Sequence, residues 1–258
     1  MKLFDSHCHL DDERFDEDRE EVFSGLKEFG ISRMVCVASD LKTSETSMRF
    51  AETHEGVYAS CGIHPHEAKD APDDYLDRIK ALCGQKPYVA IGEIGLDYYY
   101  DLSPRDVQQR VMNEQMDLAL ELDLPCIFHI RDAHGDILDI FRKRRFLPQG
   151  IIHCFSGSAE TAREYLRMGF YISFAGPLTF KKSVHLQAAC QAVPLDRLLI
   201  ETDSPYLAPE PVRGHRNTPA NVRYVCVKAA ELHGISPEKM AGITYENAMR
   251  VYRIQNEK

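Results

Sequence analysis

The chain has 258 residues, a length typical of one (β/α)₈ barrel, although two small domains would also fit. Apolar residues make up 44% and charged residues 28%, which is ordinary for a soluble globular protein with a sizeable core. The formal net charge of −9 argues against broad binding of duplex nucleic acid through a basic face. It does not exclude a phosphate substrate, because bound metal ions can reverse the electrostatics of a site.

The sequence carries no sign of a membrane span or of a signal peptide. No run of about 18 apolar residues occurs, and the opening MKLFDSHCHL lacks the apolar stretch that a signal peptide needs. The eight cysteines are scattered and none forms a CxxC pair, which is typical of buried reduced thiols rather than of a disulfide framework. We therefore expect a cytoplasmic protein with no membrane association.

Short apolar segments alternate with longer amphipathic ones along the whole chain. The segments predicted as strands are 2–6, 33–38, 57–62, 88–92, 126–129, 150–153, 170–174 and 197–202. The segments predicted as helices are 17–29, 43–54, 73–83, 104–122, 133–143, 158–168, 182–192 and 217–233, with one more near 236–254. Alternating β and α segments build a parallel sheet, so we predict an α/β fold, a (β/α)₈ TIM barrel with an extra C-terminal helix, as a single domain over 1–258. An open doubly wound sheet is the structural alternative.

Two histidines close the first predicted strand. His7 and His9 are separated by Cys8, and because side chains alternate across a strand, the two imidazoles share one face. Two imidazoles that project together from a barrel strand make half of a metal site. Taken by itself, the pair is equally compatible with a chance arrangement in a loop, so the interpretation depends on the other strand ends.

Four more ionisable residues follow apolar segments: Glu93, His129, His153 and Asp203 come at or just after predicted strands 4, 5, 6 and 8. An isolated charge is costly to bury unpaired, and the carboxyl ends of the strands form the active face of this fold. Six nitrogen and oxygen ligands at one end of a barrel predict a metal centre, and the lack of thiolates favours Zn²⁺, Mn²⁺ or Mg²⁺. For any one of these residues, the alternative is a hydrogen-bonded core histidine or a carboxylate that caps the next helix.

Loops beside the predicted centre offer candidates for substrate binding. His64 and His66 follow the third strand and could bind phosphate or carry protons, although a rigid turn with solvent-facing histidines is the alternative. Arg213 lies in the loop after the last strand, where barrels often bind phosphate, and a helix cap built by Asn217 before Pro219 is the competing interpretation. The three tyrosines at 98–100 are able to stack on a base, or to form a packed aromatic turn. The basic run at 142–145 is predicted as a solvated helix end rather than a phosphate-binding patch.

Six segments in chain order resemble the TatD-related metal-dependent hydrolases: DSHCHLD, GIHPH, GEIGLDYY, HIRDA, HCFSGS and ETDSPYL. The motifs span almost the whole chain. That family is a branch of the amidohydrolase-like barrels and is associated with DNase activity, often as a 3′→5′ exonuclease. The resemblance implies one metal held by His7, His9, Glu93 and Asp203, and a second held by Glu93, His129 and His153. The RGK-type loop of the family is replaced here by Arg213-Gly-His215, so the resemblance does not assign a phosphate contact to position 215.

The resulting hypothesis is a deoxyribonuclease, a 3′→5′ exonuclease on single-stranded DNA, that uses two divalent ions per subunit (Mg²⁺, Mn²⁺ or Zn²⁺) and a metal-activated water. Asp203 would orient that water and take its proton, and Glu93 would bridge the ions; His64, His66 and Arg213 would bind the substrate. The expected partner is DNA or a nucleotide, preferentially single-stranded, with no obligate protein partner. The alternatives are an amidohydrolase, lactonase or phosphotriesterase acting on a small substrate, and a metal-binding quality-control protein whose metal site is structural.

Overall fold

The computed structural model describes residues 1–84 and 88–255, in which strands and helices alternate. The strands are β1 (Leu3–Cys8), β2 (Ile31–Cys36), β3 (Val57–Cys61), β4 (Tyr88–Asp97), β5 (Cys126–Arg131), β6 (Gly150–Ile152), β7 (Tyr171–Phe174) and β8 (Leu198–Ile200). The helices are α1 (Arg19–Gly25), α2 (Leu41–Thr53), α3 (Tyr75–Cys83), α4 (Arg105–Leu122), α5 (His134–Lys143), α6 (Ala159–Arg167), α7 (Val184–Ala192), α8 (Val222–His233) and α9 (Pro237–Val251).

The eight strands form one sheet in which neighbours along the chain are also neighbours in space. Every adjacent pair from β1–β2 to β7–β8 is parallel. The sheet closes on itself beyond β8, because the amide of Asp203 donates to the carbonyl of His7 (2.9 Å) and the amide of His9 donates to the carbonyl of Ser204 (2.7 Å). The predicted (β/α)₈ TIM barrel is therefore confirmed, and the open doubly wound sheet is excluded.

Apolar side chains pack in two layers, one between the sheet and the helices and one inside the barrel. The inner layer comes from alternate strand residues, among them Phe4 and Ile127. The C-terminal helix α9 joins this inner layer: Tyr245 and the following Tyr252 place their rings 5.8 and 6.1 Å from the ring of Phe4. Because Phe4 lies near the start of β1, α9 covers the barrel where its strands begin. The opposite end, where the strands finish, stays open for a site.

The sequence predicted that strand β4 ends at Gly92. In the structure β4 is 10 residues long and continues to Asp97. It continues because Gly95 remains paired with His129 of β5. Gly95 has a φ of 145°, and a Cβ atom there would lie 1.9 Å from the carbonyl oxygen of His129, so the close approach of the two strands requires glycine. Glu93 therefore lies inside the strand, and the residue at its carboxyl end is Asp97.

The state of the cysteines agrees with the prediction of buried reduced thiols. All eight cysteines are free and most are buried, as predicted. Burial raises the pKa of the Cys190 and Cys226 thiols to about 12, so these side chains stay protonated and unreactive at neutral pH. Across residues 1–84 and 88–255, none of the helices combines the length and the apolar character that a membrane crossing requires.

Candidate metal centre

Five of the six residues predicted as metal ligands line one cleft at the carboxyl ends of the strands, and the sixth, His7, is buried beside them. The cleft has a volume of about 720 Å³. Three groups of side chains there have ligand atoms within 4.8 Å of one another: His7, His153 and Asp203; His7, His9 and Glu93; His64, Glu93 and His129. The structure thus brings all six predicted ligands together, although they come from five different stretches of the chain.

His7 and His9 point their Nε2 atoms at each other, 3.1 Å apart. The Nδ1 atom of His9 lies 2.9 Å from the carbonyl oxygen of Val37, and a carbonyl only accepts, so Nδ1 of His9 carries the proton. The lone pair of the neutral His9 ring is therefore on Nε2 and is directed into the centre. Both imidazoles are buried. A cation would bind beside their two Nε2 atoms.

Glu93 lies between two pairs of histidines, with one carboxylate oxygen facing each pair. Its Oε1 atom is 2.7 Å from Nδ1 of His129 and 2.7 Å from Nε2 of His153. Its Oε2 atom is 3.4 Å from Nε2 of His7 and 3.6 Å from Nε2 of His9. The Glu93 side chain is 3% exposed, so these contacts replace the water that a carboxylate would otherwise need.

Asp203 completes the pair formed by His7 and His9. Its Oδ1 atom is 3.7 Å from Nε2 of His7 and 3.5 Å from Nε2 of His9. The residue adopts a φ of 56°, a left-handed backbone that aspartate enters more readily than most residues. Its side chain is 14% exposed against 3% for Glu93, so Asp203 is the carboxylate of this pair that faces the open cleft.

Two acids that were not predicted from the sequence contact the outer nitrogens of His129 and His153. Asp97, at the end of β4, has Oδ2 3.0 Å from Nε2 of His129. Glu201, just after β8, has Oε1 3.2 Å from Nδ1 of His153. A carboxylate on one ring nitrogen fixes the tautomer and the orientation of the ring, and leaves the other nitrogen free to bind. Glu201 was visible in the segment ETDSPYL, but nothing in the sequence indicated a contact with His153.

The centre attracts positive charge. Although burial favours the neutral ring, hydrogen bonding and attraction to Asp203 and Glu93 raise the pKa of His9 to about 9. Burial also opposes a proton on His153, but Glu93 and Glu201 hold its pKa well above the usual value for histidine. Glu93 itself is buried, yet its histidine neighbours, His153 first among them, keep its pKa well below the usual range for a carboxyl group. Buried anions that draw protons onto imidazoles also favour a bound cation.

A divalent metal ion fits this chemistry. Two imidazole nitrogens 3.1 Å apart, with carboxylate oxygens of Glu93 and Asp203 beside them, form a compact donor set of nitrogen and oxygen atoms. Such donors suit Zn²⁺, Mn²⁺ or Mg²⁺, whereas no cysteine belongs to any of the three groups of candidate ligands. The nitrogen and oxygen donors of these residues are therefore suited to bind a divalent metal ion.

The residues predicted to bind substrate are placed differently from one another. His64 and His66 line the cleft, and Nδ1 of His64 accepts a hydrogen bond from the amide of His66 (3.1 Å), so neutral His64 carries its proton on Nε2. Arg213 is exposed and is not among the residues that line the cleft; its guanidinium lies over the ring of Phe180, at 4.2 Å. The arginine that does line the cleft is Arg131, which the sequence analysis did not single out.

Comparison with known proteins places the chain in a family. The family model described as TatD related DNase matches residues 4–253. The chain belongs to the TatD-related DNase family. An uncharacterized metal-dependent hydrolase, YabD of Bacillus subtilis, is 46% identical over 253 residues, which cover 98% of this chain and 99% of that protein. The membership confirms the predicted metal-dependent hydrolase of the TatD type.

Two further TatD-related proteins resemble the chain over nearly its whole length. The 3′-5′ ssDNA/RNA exonuclease TatD of Cronobacter sakazakii is 34% identical over 258 residues, covering 97% of each chain. The crystal structure of YJJV, a TatD homolog from Escherichia coli K12, superimposes with a TM-score of 0.91 at 27% identity and covers 98% of both chains. The similarity to TatD-related proteins therefore extends over nearly the whole chain.

Proposed function

We propose that this chain is a deoxyribonuclease that removes nucleotides from the 3′ ends of single-stranded DNA with the help of two divalent metal ions, Mg²⁺, Mn²⁺ or Zn²⁺. The observation that carries the proposal is the position of Glu93, whose two carboxylate oxygens face two separate pairs of histidine nitrogens. A relative that is 34% identical over 97% of the chain is named as an exonuclease of this polarity on single-stranded DNA and RNA.

Each pair of histidines would hold one ion, and the two ions would share the carboxylate of Glu93. One ion would be held by His7, His9, Asp203 and Oε2 of Glu93, and the other by His129, His153 and Oε1 of Glu93. When bound, the ions would lower the pKa of a water molecule and offset the negative charge that builds up on a phosphodiester. Asp97 and Glu201 would hold the rings of His129 and His153 in the binding orientation.

Asp203 is the residue best placed to move a proton in this centre. Its carboxylate is more exposed to the cleft than that of Glu93 and lies at the edge of the donor set, so it can accept a proton from a water in the cleft. His64 has the complementary character, because its Nε2–H is a donor directed at the same space, 3.6 Å from Glu93. We assign His64 to hydrogen bonding with a substrate oxygen, with His66 beside it.

The cleft suits the end of one strand better than a duplex. Its volume of about 720 Å³ is that of a pocket for a molecule of nucleotide size. Asp11 and Glu67 line it, and these acids would repel a long phosphate backbone laid across the opening. We therefore expect a preference for single-stranded ends. A cytoplasmic location, with no obligate protein partner, is part of the same proposal and agrees with eight free cysteines.

The decisive experiment follows the products of end-labelled single-stranded DNA. Metal-stripped protein is supplied with Mg²⁺, Mn²⁺ or Zn²⁺ in turn, and the metal content per chain is measured in the same samples. The proposal predicts release of mononucleotides from the 3′ end, in proportion to bound metal, with little cleavage of blunt duplex. Turnover of a lactone, an amide or a phosphotriester without DNA cleavage would establish the small-substrate alternative. Tightly bound metal with no turnover of any substrate would establish a structural site.

A further inference from the structure

Arg131 is an arginine at the rim of the cleft whose guanidinium has no acidic partner. Across residues 1–84 and 88–255, no carboxylate lies within 4.0 Å of it to form an ion pair. The guanidinium instead lies over two aromatic rings, 4.0 Å from the centroid of Tyr99 and 4.6 Å from that of Tyr100. Stacking fixes the direction of the side chain and leaves its N–H donors free for an anion.

The two tyrosines are exposed beside this arginine. Tyr99 is 58% exposed and Tyr100 is 54% exposed, so both rings are accessible to a ligand. Their turn is held in place by Asp97, whose Oδ1 atom accepts hydrogen bonds from the amides of Tyr99 (3.0 Å) and Tyr100 (2.9 Å). The other oxygen of Asp97 contacts His129 and His66. The turn is therefore fixed to the same carboxylate that orients a candidate metal ligand.

On the opposite rim of the cleft an arginine also stacks on a tyrosine, but this arginine has an acidic partner. Arg14 lies over the ring of Tyr206, at 4.3 Å, but its guanidinium is paired with Asp12 at 2.9 Å. The hydroxyl of Tyr206 also donates to Asp12, at 2.9 Å. The charge of Arg14 is thus already compensated, whereas that of Arg131 is not. An anion that enters the cleft can therefore pair with the guanidinium of Arg131.

We propose that Arg131 and Tyr100 form a nucleotide subsite next to the metal centre. The guanidinium of Arg131 binds a phosphate group that is not the one being hydrolysed, and the exposed ring of Tyr100 stacks on the attached base. A nucleotide matches both features, because it joins an anion to a flat aromatic ring over a short distance, and stacking accepts any base. The subsite rests on the proposed function, since it gives the DNA end a second point of attachment beside the scissile bond.

The subsite is tested by ligand binding to metal-stripped protein, so that the metals contribute nothing to the result. Proton NMR titrations are run with deoxyadenosine 5′-monophosphate, deoxyadenosine and inorganic phosphate on the parent protein and on Tyr100→Leu, Tyr100→Phe and Arg131→Gln. The matched control is Arg145→Gln, because Arg145 also lies over an exposed aromatic ring, that of Phe146 at 5.1 Å, but outside the cleft.

We expect the parent protein to bind the nucleotide more tightly than the nucleoside or phosphate, with an upfield shift of the adenine protons from stacking. Tyr100→Leu should abolish that shift and weaken nucleotide binding at least about fivefold. Tyr100→Phe keeps the aromatic ring and should retain both the upfield shift and the nucleotide affinity of the parent. Arg131→Gln should weaken nucleotide binding at least about fivefold while leaving the affinity for deoxyadenosine unchanged. The control should match the parent.

Equal nucleotide affinity in the parent, Tyr100→Leu and Arg131→Gln proteins would overturn the subsite, even if the enzyme cleaves DNA. The expected binding pattern in a protein that hydrolyses no DNA would support the subsite and reject the proposed function. In an active enzyme, both substitutions should raise KM for an oligonucleotide more than they lower kcat, because they remove binding that substrate and transition state share. A loss confined to kcat would contradict a binding role for the two residues.

Discussion

Replacing Glu93 with glutamine removes one negative charge from the middle of the candidate metal centre and nearly preserves the shape of the side chain. In the parent, Oε1 lies 2.7 Å from Nδ1 of His129 and from Nε2 of His153, and Oε2 lies 3.4 Å from Nε2 of His7. An amide has one acceptor oxygen, so its NH₂ group must face one of the two histidine pairs. Whichever way the amide turns, one pair loses its anionic oxygen, and both lose the charge.

The size of the effect follows from these short distances. A unit charge about 4 Å away contributes about 4 kcal/mol at an effective dielectric constant of about 20, and the ring nitrogens lie 2.7–3.6 Å from the carboxylate. About 4 kcal/mol corresponds to roughly a 10³-fold change in a binding constant. We therefore expect Glu93→Gln to lose at least one of two ions. Hydrolysis of DNA should fall by about 10³ or more, because the ions supply most of the transition-state stabilisation.

Metal content per chain, measured by mass spectrometry after dialysis, and the initial rate on single-stranded DNA test this expectation together. Circular dichroism and the unfolding temperature report whether the barrel is intact. Glu67→Gln is the matched control, since it removes the same charge from an exposed carboxylate that lines the same cleft. The control should keep its metal and its rate. Glu93→Gln protein with full metal occupancy and near-parental turnover would refute the bridging role.

Three further substitutions have defined outcomes. Glu201→Gln should weaken metal binding about 10–100-fold, measured by competition with a chelator, because Glu201 orients His153; unchanged affinity would contradict that role. Asp203→Asn should keep the fold and lower kcat by about 10²–10⁴ in a DNA hydrolysis assay, and a rate within a few-fold of the parent would remove it from proton transfer. Burial lowers the pKa of His134 to about 4, so the unfolded chain takes up a proton below pH 6.5 while the folded protein does not. Stability should therefore fall by about 2 kcal/mol between pH 8 and pH 5 through this residue, and urea unfolding of His134→Gln should show a loss smaller by that amount; an identical pH dependence would exclude the contribution.

The sequence by itself was sufficient for the barrel and for the positions of the candidate ligands. Apolar periodicity is a local property, so each strand and helix could be recognised from its own segment. The carboxyl ends of parallel strands meet at one face, so ionisable residues after those segments were expected to come together. His7 and His9 illustrate the limit of this reasoning, because their shared face follows from strand geometry, whereas the proton on Nδ1 of His9 depends on the carbonyl of Val37.

Strand ends and loops were decided by packing that local patterns do not encode. The two glycines of GEIGLDYY are typical of a turn, but pairing with β5 extends β4 through Gly95 and makes Asp97 its last residue. Arg213 matched the usual position of a phosphate-binding loop, yet its guanidinium stacks on Phe180, outside the cleft. The arginine at the rim of the cleft is instead Arg131, because strand β5 ends beside the turn that carries the exposed Tyr99 and Tyr100.

The orientation of the histidines also belongs to the tertiary structure. Glu201 and His153 are 48 residues apart in the chain and meet because β6 and β8 end on the same side of the closed barrel. Which nitrogen of a ring faces the centre depends on the partner of the other nitrogen, and that partner comes from another strand. The residue types and their order are thus local information carried by the sequence. The tautomers, the charge of each group and the free guanidinium at the rim arise from contacts between distant segments, which only closure of the barrel creates.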